Sequence, residues 1–231
     1  MKVLPGKHKD HSLSLFLLLL CCEIFIFGPL ARTEGSTVAV VNGVVFSALL
    51  LVGVMALSHH PVTRLISAVV TFIAIVLRWV SNMTGLPDIY LWDIIFSLAA
   101  TLCFLALILD QVYHEVPVTE HKILGAVAAY ILISAAFAFM YNIIELLIPG
   151  SFTPFAGKDS LLPYQQDSFL YFSISTITTV GFGDITATHP IARSLVMLES
   201  IVGILYPPVL IGVLVTLHTD WRIKNRNGNQ A

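Results

Sequence analysis

The segment Tyr171–Pro190, YFSISTITTVGFGDITATHP, differs from everything around it. At its centre Thr178-Thr179-Val180-Gly181-Phe182-Gly183-Asp184 carries two glycines one residue apart, two hydroxyls and one acid. The segment is too short to cross a bilayer, which takes about 20 apolar residues, and its glycines disfavour a helix. Non-helical backbone survives inside a membrane only where protein buries it or where it lines a watery path. Gly181 and Gly183 reach backbone conformations that other residues avoid. Alternated with Val180 and Phe182, they let successive carbonyls point the same way, and the Thr179 hydroxyl adds one oxygen below. Several such strands around an axis would stack oxygen rings able to replace the water around a monovalent cation.

The rest of the chain supplies the apolar setting. Of 231 residues, 57% are hydrophobic and 11% charged, and the mean hydropathy is +0.87. Soluble domains are nearer 45–50% apolar and about 25% charged, so the composition is that of an integral membrane protein. The net charge of −2 and the lack of a basic run give no sign of nucleic acid as a partner. Cys21, Cys22 and Cys103 lie in apolar stretches and read as small apolar residues. No metal-ligand spacing and no catalytic constellation stands out, so the chain does not read as an enzyme, and no cofactor is expected.

Six spans are expected: Ser12–Ala31, Thr37–Ser58, Val62–Val80, Ile89–Leu109, Ile123–Ile148 and Pro190–Leu217. Pro29, Pro61 and Pro87 punctuate the first four. Between the last two spans, PGSFTPFAGKDSLLPYQQDS reads as loop. SFLYFSISTITT, from Ser168, is a helical stretch too short to span, with Asp167 and Ser168 at its start. The fold class is therefore all-α, with six transmembrane helices and a re-entrant pore helix and loop between the last two. The expected division is a four-helix membrane module at 1–110, an interfacial linker at 111–122, a span–loop–span unit at 123–219 and a tail at 220–231.

Eight of the twelve Lys and Arg fall on one side (Lys2, Lys7, Lys9, Arg64, Lys122, Arg222, Lys224, Arg226) and four on the other (Arg32, Arg78, Lys158, Arg193). The bias puts both termini in the cytoplasm and lets the loop enter from outside. A cleaved signal peptide is the alternative for the first span and leaves the other orientations unchanged.

Here the residues meet a family. TTVGFGD resembles the selectivity filter of potassium channels, whose common form is TVGYG, with Phe182 at the aromatic position. LYFSISTITTVGFGDIT is similar to a family pore helix running into its filter, and Gly203 stands where the family carries an inner-helix hinge glycine. LESIVGILYPPVLIGVLVTL is most similar to the last span of small bacterial channel proteins. The resemblance covers Ile123–Leu217; the first four spans match only in number. It implies a homotetramer in the cell (inner) membrane, with K+ as permeant ion at Thr179, Val180, Gly181 and Phe182, and Gly183 closing the filter. Thr178, Asp184, Tyr171 and Ser175 would support that filter, Tyr171 serving as partner to Asp184. Phe182 lacks the hydroxyl that commonly ties the filter sideways, which implies inactivation at low external potassium.

The fourth span carries Asp93 and Asp110 and no Arg or Lys, and Arg78 in the third stands alone, so voltage gating is not expected. The short tail after Leu217 leaves a sensing domain to an unseen regulatory subunit. Gly203, Pro207 and Pro208 are the expected hinge and gate, since proline kinks helices; a fixed kink with the filter as sole gate is the alternative. Glu145 and Glu199 are acids inside spans. If Ser200, Ile204, Pro207 and Ile211 face the axis, Glu199 points toward the pore helix as a strut. The histidines near both surfaces, His189 among them, make pH gating conceivable. The gating stimulus is not readable. A non-selective cation channel, an active transporter and a silent channel-like subunit are the competing readings.

Overall fold

The computed structural model describes residues 8–27, 36–57, 61–114, 120–153 and 166–228. Nearly all of them are helical. In chain order these are α1 (His8–Cys22), continued by one π-helical turn (Glu23–Phe27), α2 (Ser36–Leu57), α3 (Pro61–Thr84), α4 (Pro87–His114), α5 (Glu120–Leu147), β1 (Phe152–Thr153), α6 (Gln166–Ile177), β2 (Thr186–Ala187) and α7 (Pro190–Gly228). Proline opens α3, α4 and α7, where its fixed φ suits the first helical position and its missing N–H costs nothing. Gly85 ends α3 at φ 63°, its N–H donating to the Ser81 carbonyl at 2.9 Å.

Among the described residues four helices are long and apolar enough to cross a membrane: Val62–Thr84, Pro87–Val112, Ile123–Leu147 and Pro190–Thr216. The chain is a multi-pass membrane protein. The first two expected spans are apolar over the shorter stretches Ser14–Ile26 and Val40–Met55. Lys2, Lys7, Arg32, Lys158, His59, His60 and the loop at 154–165 lie outside the described residues.

The helices run past the spans expected for them. Helix α4 runs to His114 and α5 starts at Glu120. Helix α7 passes the expected tail boundary without a break and ends at Gly228, because no proline or glycine interrupts 213–227. It also stays unbroken through Pro207 and Pro208.

One core cluster joins α1, α2, α4 and α5 through Phe16, Leu49, Leu50, Phe104, Ile108 and Leu132. Gly53 is what lets α2 approach: an added Cβ would lie 2.9 Å from the Phe104 ring and 3.0 Å from that of Phe16. A second cluster gathers Phe137, Tyr141, Phe152, Phe169 and Phe172 behind α6. The Tyr90 hydroxyl accepts from Asn142 Nδ2 at 3.0 Å, tying α4 to α5. Both layers thus meet on α5, whose apolar window is 56% buried within the chain against 11% for α7.

Candidate functional site

Helix α6 packs on α5 and α7 and ends at Ile177. The Ile177 carbonyl accepts the Tyr130 hydroxyl at 2.8 Å. The same carbonyl rests on Gly203, where an added Cβ would be 2.1 Å from its oxygen. No side chain fits there, so glycine is required for α7 to touch the end of α6. Gly203 is thus a close-approach residue inside an unbroken helix.

Beyond α6 the backbone alternates. Thr179, Gly181 and Gly183 have φ of 62°, 53° and 76°, with Val180 and Phe182 between them on the ordinary side. An added Cβ at Gly181 or Gly183 would meet nothing within 4 Å; backbone conformation, not space, demands glycine there. Thr179 has no such licence and is held in a conformation that costs on the order of 1–3 kcal/mol.

Ser175 holds this segment. Its carbonyl accepts the N–H groups of Val180 and Gly181, both at 3.0 Å, and its hydroxyl accepts the Phe182 N–H at 3.3 Å. Three successive N–H groups therefore turn back toward α6. Thr178 Oγ1 donates to the Ile174 carbonyl at 2.6 Å. The Tyr171 ring stacks on Phe182, centroids 6.0 Å apart and planes 6° apart. Its hydroxyl bonds Asp184, a hydrogen bond that is the main cause pushing the Tyr171 phenol up from its ordinary pKa, followed by burial and the carboxylate's charge. Asp184 Oδ1 also accepts the Ile185 N–H at 3.0 Å. Val180 and Phe182 are exposed in the single chain.

The segment after the filter-like loop is pinned to the end of α5. β2 pairs antiparallel with β1, Thr186 opposite Thr153 and Ala187 opposite Phe152. The Ser151 carbonyl accepts the N–H groups of Thr188 at 2.9 Å and His189 at 3.3 Å. Glu145 organises this clasp, accepting the N–H of Gly150 at 2.8 Å and of Phe152 at 3.1 Å.

Glu199 is fully buried. It accepts a hydrogen bond from Tyr141 and is hydrogen-bonded to Ser173, joining α7 to α5 and α6. Three hydroxyls on α5, those of Tyr130, Ser134 and Tyr141, take part here, and their i, i+4, i+11 spacing puts them on one face. That spacing is a readable signal for the tie. Further along α7, Tyr206 donates to the Ala126 carbonyl at 2.9 Å and stacks on Tyr130 with centroids 5.5 Å apart. Pro207 and Pro208 are exposed, as are Ile204, Leu205, Val209 and Ile211.

In the four-helix region Arg78 meets Asp93 at 3.2 Å and lies 4.5 Å above the Phe46 ring. The Ser97 hydroxyl donates to the same carboxylate at 3.3 Å.

The family profile described as ion channel matches residues 159–220. The inward rectifier potassium channel Kirbac3.1 of Paramagnetospirillum magnetotacticum is 34% identical over 106 residues, covering 42% of this chain and 30% of that protein. The match thus spans under a third of the relative's length. No solved structure matches the chain. Residues 159–220 are thus similar to the ion-channel family, and the similarity to a potassium channel extends over 106 residues.

Proposed function

We propose that the chain is a potassium-selective channel that conducts K+ passively. Four copies surround one axis, and each contributes the backbone carbonyls of Thr179, Val180, Gly181, Phe182 and Gly183. The observation that carries this is the alternation of φ across Thr179–Gly183, with the N–H groups of 180–182 drawn back to Ser175. Such alternation turns successive carbonyls to one side, and N–H groups held behind leave those oxygens free for a cation stripped of water.

In this reading all six apolar stretches cross the cell membrane, α6 with its loop is a re-entrant pore segment, and both termini are cytoplasmic. The low burial of α7 supports an assembly. Its exposed residues, together with Val180 and Phe182, are what neighbouring copies and the ion path would cover. K+ is the permeant ion, and no cofactor is invoked. Pro207 and Pro208 lack backbone donors, which makes the exposed stretch beyond Gly203 the place where α7 yields as a gate.

The test is ion flux from liposomes holding the purified chain. Native protein should release K+ far faster than Na+. Gly181→Ala should lose that preference, because alanine resists φ 53°. Equal K+ and Na+ release by the native protein, or no release from a verified tetramer at any imposed pH or voltage, would contradict the proposal.

A further inference from the structure

Behind α6 four polar side chains close on one another with no cation among them. Glu199 meets Tyr141 from α5 and Ser173 from α6, and Ser173 in turn meets Ser134 of α5. The titratable groups facing it are the phenols of Tyr141 and Tyr130, both on α5. Among the described residues its surroundings hold no Lys, Arg or His.

The hydrogens can be counted. Ser173 Oγ has one proton and touches two acceptors: the Ser134 carbonyl at 2.7 Å and Glu199 Oε1. The Ser134 hydroxyl, 2.9 Å away, can donate to Ser173 Oγ. Tyr141 donates to Glu199 Oε2. If Glu199 were a carboxylate, the Ser173 proton could serve only one acceptor. The other would face Ser173 Oγ as a bare oxygen–oxygen contact, lone pair against lone pair, in a site of low polarity. If Glu199 carries a proton, every contact is satisfied. Glu199 donates to Ser173, Ser173 to the Ser134 carbonyl, Ser134 to Ser173, and Tyr141 to Glu199.

We infer that Glu199 is held as a neutral carboxylic acid, a protonated latch that keeps α6 docked on α7. Burial without a cation favours the same form, since an isolated charge inside a membrane is expensive. The latch sits beside the Gly203–Ile177 contact, so losing the proton loosens the helix end from which the Thr179–Gly183 segment starts. The inference rests on the fold and the hydrogen count, and stands whether or not the pore conducts.

The linkage has a definite sign. A group that keeps its proton in the folded state and releases it in the unfolded state makes stability fall as pH rises. An ionised, hydrogen-bonded Glu199 would gain stability only as pH rises through the ordinary carboxyl range and would stay level above it. The test compares the full native chain with Glu199→Gln and Glu199→Ala in lipid nanodiscs from about pH 5 to about pH 8, across the range where an ordinary carboxyl is ionised. Glutamine keeps one donor and one acceptor in place. It should therefore match native melting at the acid end and exceed it progressively toward the alkaline end. The infrared difference, native minus Glu199→Gln, should hold a protonated-carboxyl C=O band at neutral pH. Alanine should melt lower throughout; if it does not fold, the glutamine comparison still decides. A native chain whose melting runs parallel to that of Glu199→Gln across this range, with no protonated-carboxyl band, would overturn the inference.

Discussion

Asp93 and Glu199 are equally buried, at 1% and 0% exposure, yet the chain satisfies them in opposite ways. Asp93, in the four-helix region, meets the Arg78 guanidinium and the Ser97 hydroxyl. Glu199, on α7, meets only hydroxyls. A charge pair fixes two helices through opposite charges. A hydroxyl cluster around an acid depends on one proton. The comparison assigns a static role to the α3–α4 tie and a responsive one to the α6–α7 tie.

The largest break should come at the pair. Arg78→Leu leaves Asp93 buried beside no cation and should cost about 3–5 kcal/mol, read as a drop in thermal unfolding followed by tryptophan fluorescence. Adding Asp93→Leu should recover most of that loss, because an apolar pair of similar size is tolerated far better than one orphaned charge. If the double variant stays as unstable as the single, the α3–α4 tie is not simply electrostatic.

Next comes Tyr141→Phe, which takes the donor from Glu199 Oε2 and strips a polar link from the aromatic cluster behind α6. It should cost about 1–3 kcal/mol, the penalty of a buried group left without its partner. Ser134→Ala removes one donor to Ser173 while leaving the Ser134 carbonyl in place. It should cost about 0.5–1.5 kcal/mol, the net worth of one hydrogen bond. The same unfolding series should rank Arg78→Leu, Tyr141→Phe and Ser134→Ala in that order. A Ser134→Ala effect as large as that of Arg78→Leu would erase the distinction between the two ties.

A change with almost no stability effect sharpens the site rather than the core. Tyr171→Phe keeps the ring stacked on Phe182 and loses only the hydroxyl that bonds Asp184. Fold and melting should stay native, while currents should decline faster in potassium-free external solution. Unchanged decline would remove Tyr171 as a lateral support.

Much of this architecture is legible in the amino-acid sequence. The apolar runs locate α3, α4, α5 and α7, and proline marks the starts of three of them. TTVGFGD announces alternating backbone because glycine at every second position has few other uses in an apolar chain. The pairing of Arg78 with Asp93 is not legible, since a chain reversal between α3 and α4 separates them and only tertiary packing brings them together. Gly203 reads as a hinge from its place in a helix; its contact with Ile177 depends on how α6 ends, which no local pattern reveals. Glu145 looks like an unexplained acid in a span. Its role appears only when the chain reverses after α5 and presents the N–H groups of Gly150 and Phe152. Pro207 and Pro208 signal a break, yet α7 runs through them, because exposed prolines can remove two donors without ending a long apolar helix.

The central claim is that Thr179–Gly183 forms the ion path of a potassium-selective pore. The most direct measurement is the reversal potential of the purified chain in a planar bilayer, with potassium on one side and sodium on the other. The account predicts a reversal near the potassium equilibrium potential, collapsing toward zero in Gly181→Ala. A native reversal near zero would contradict it.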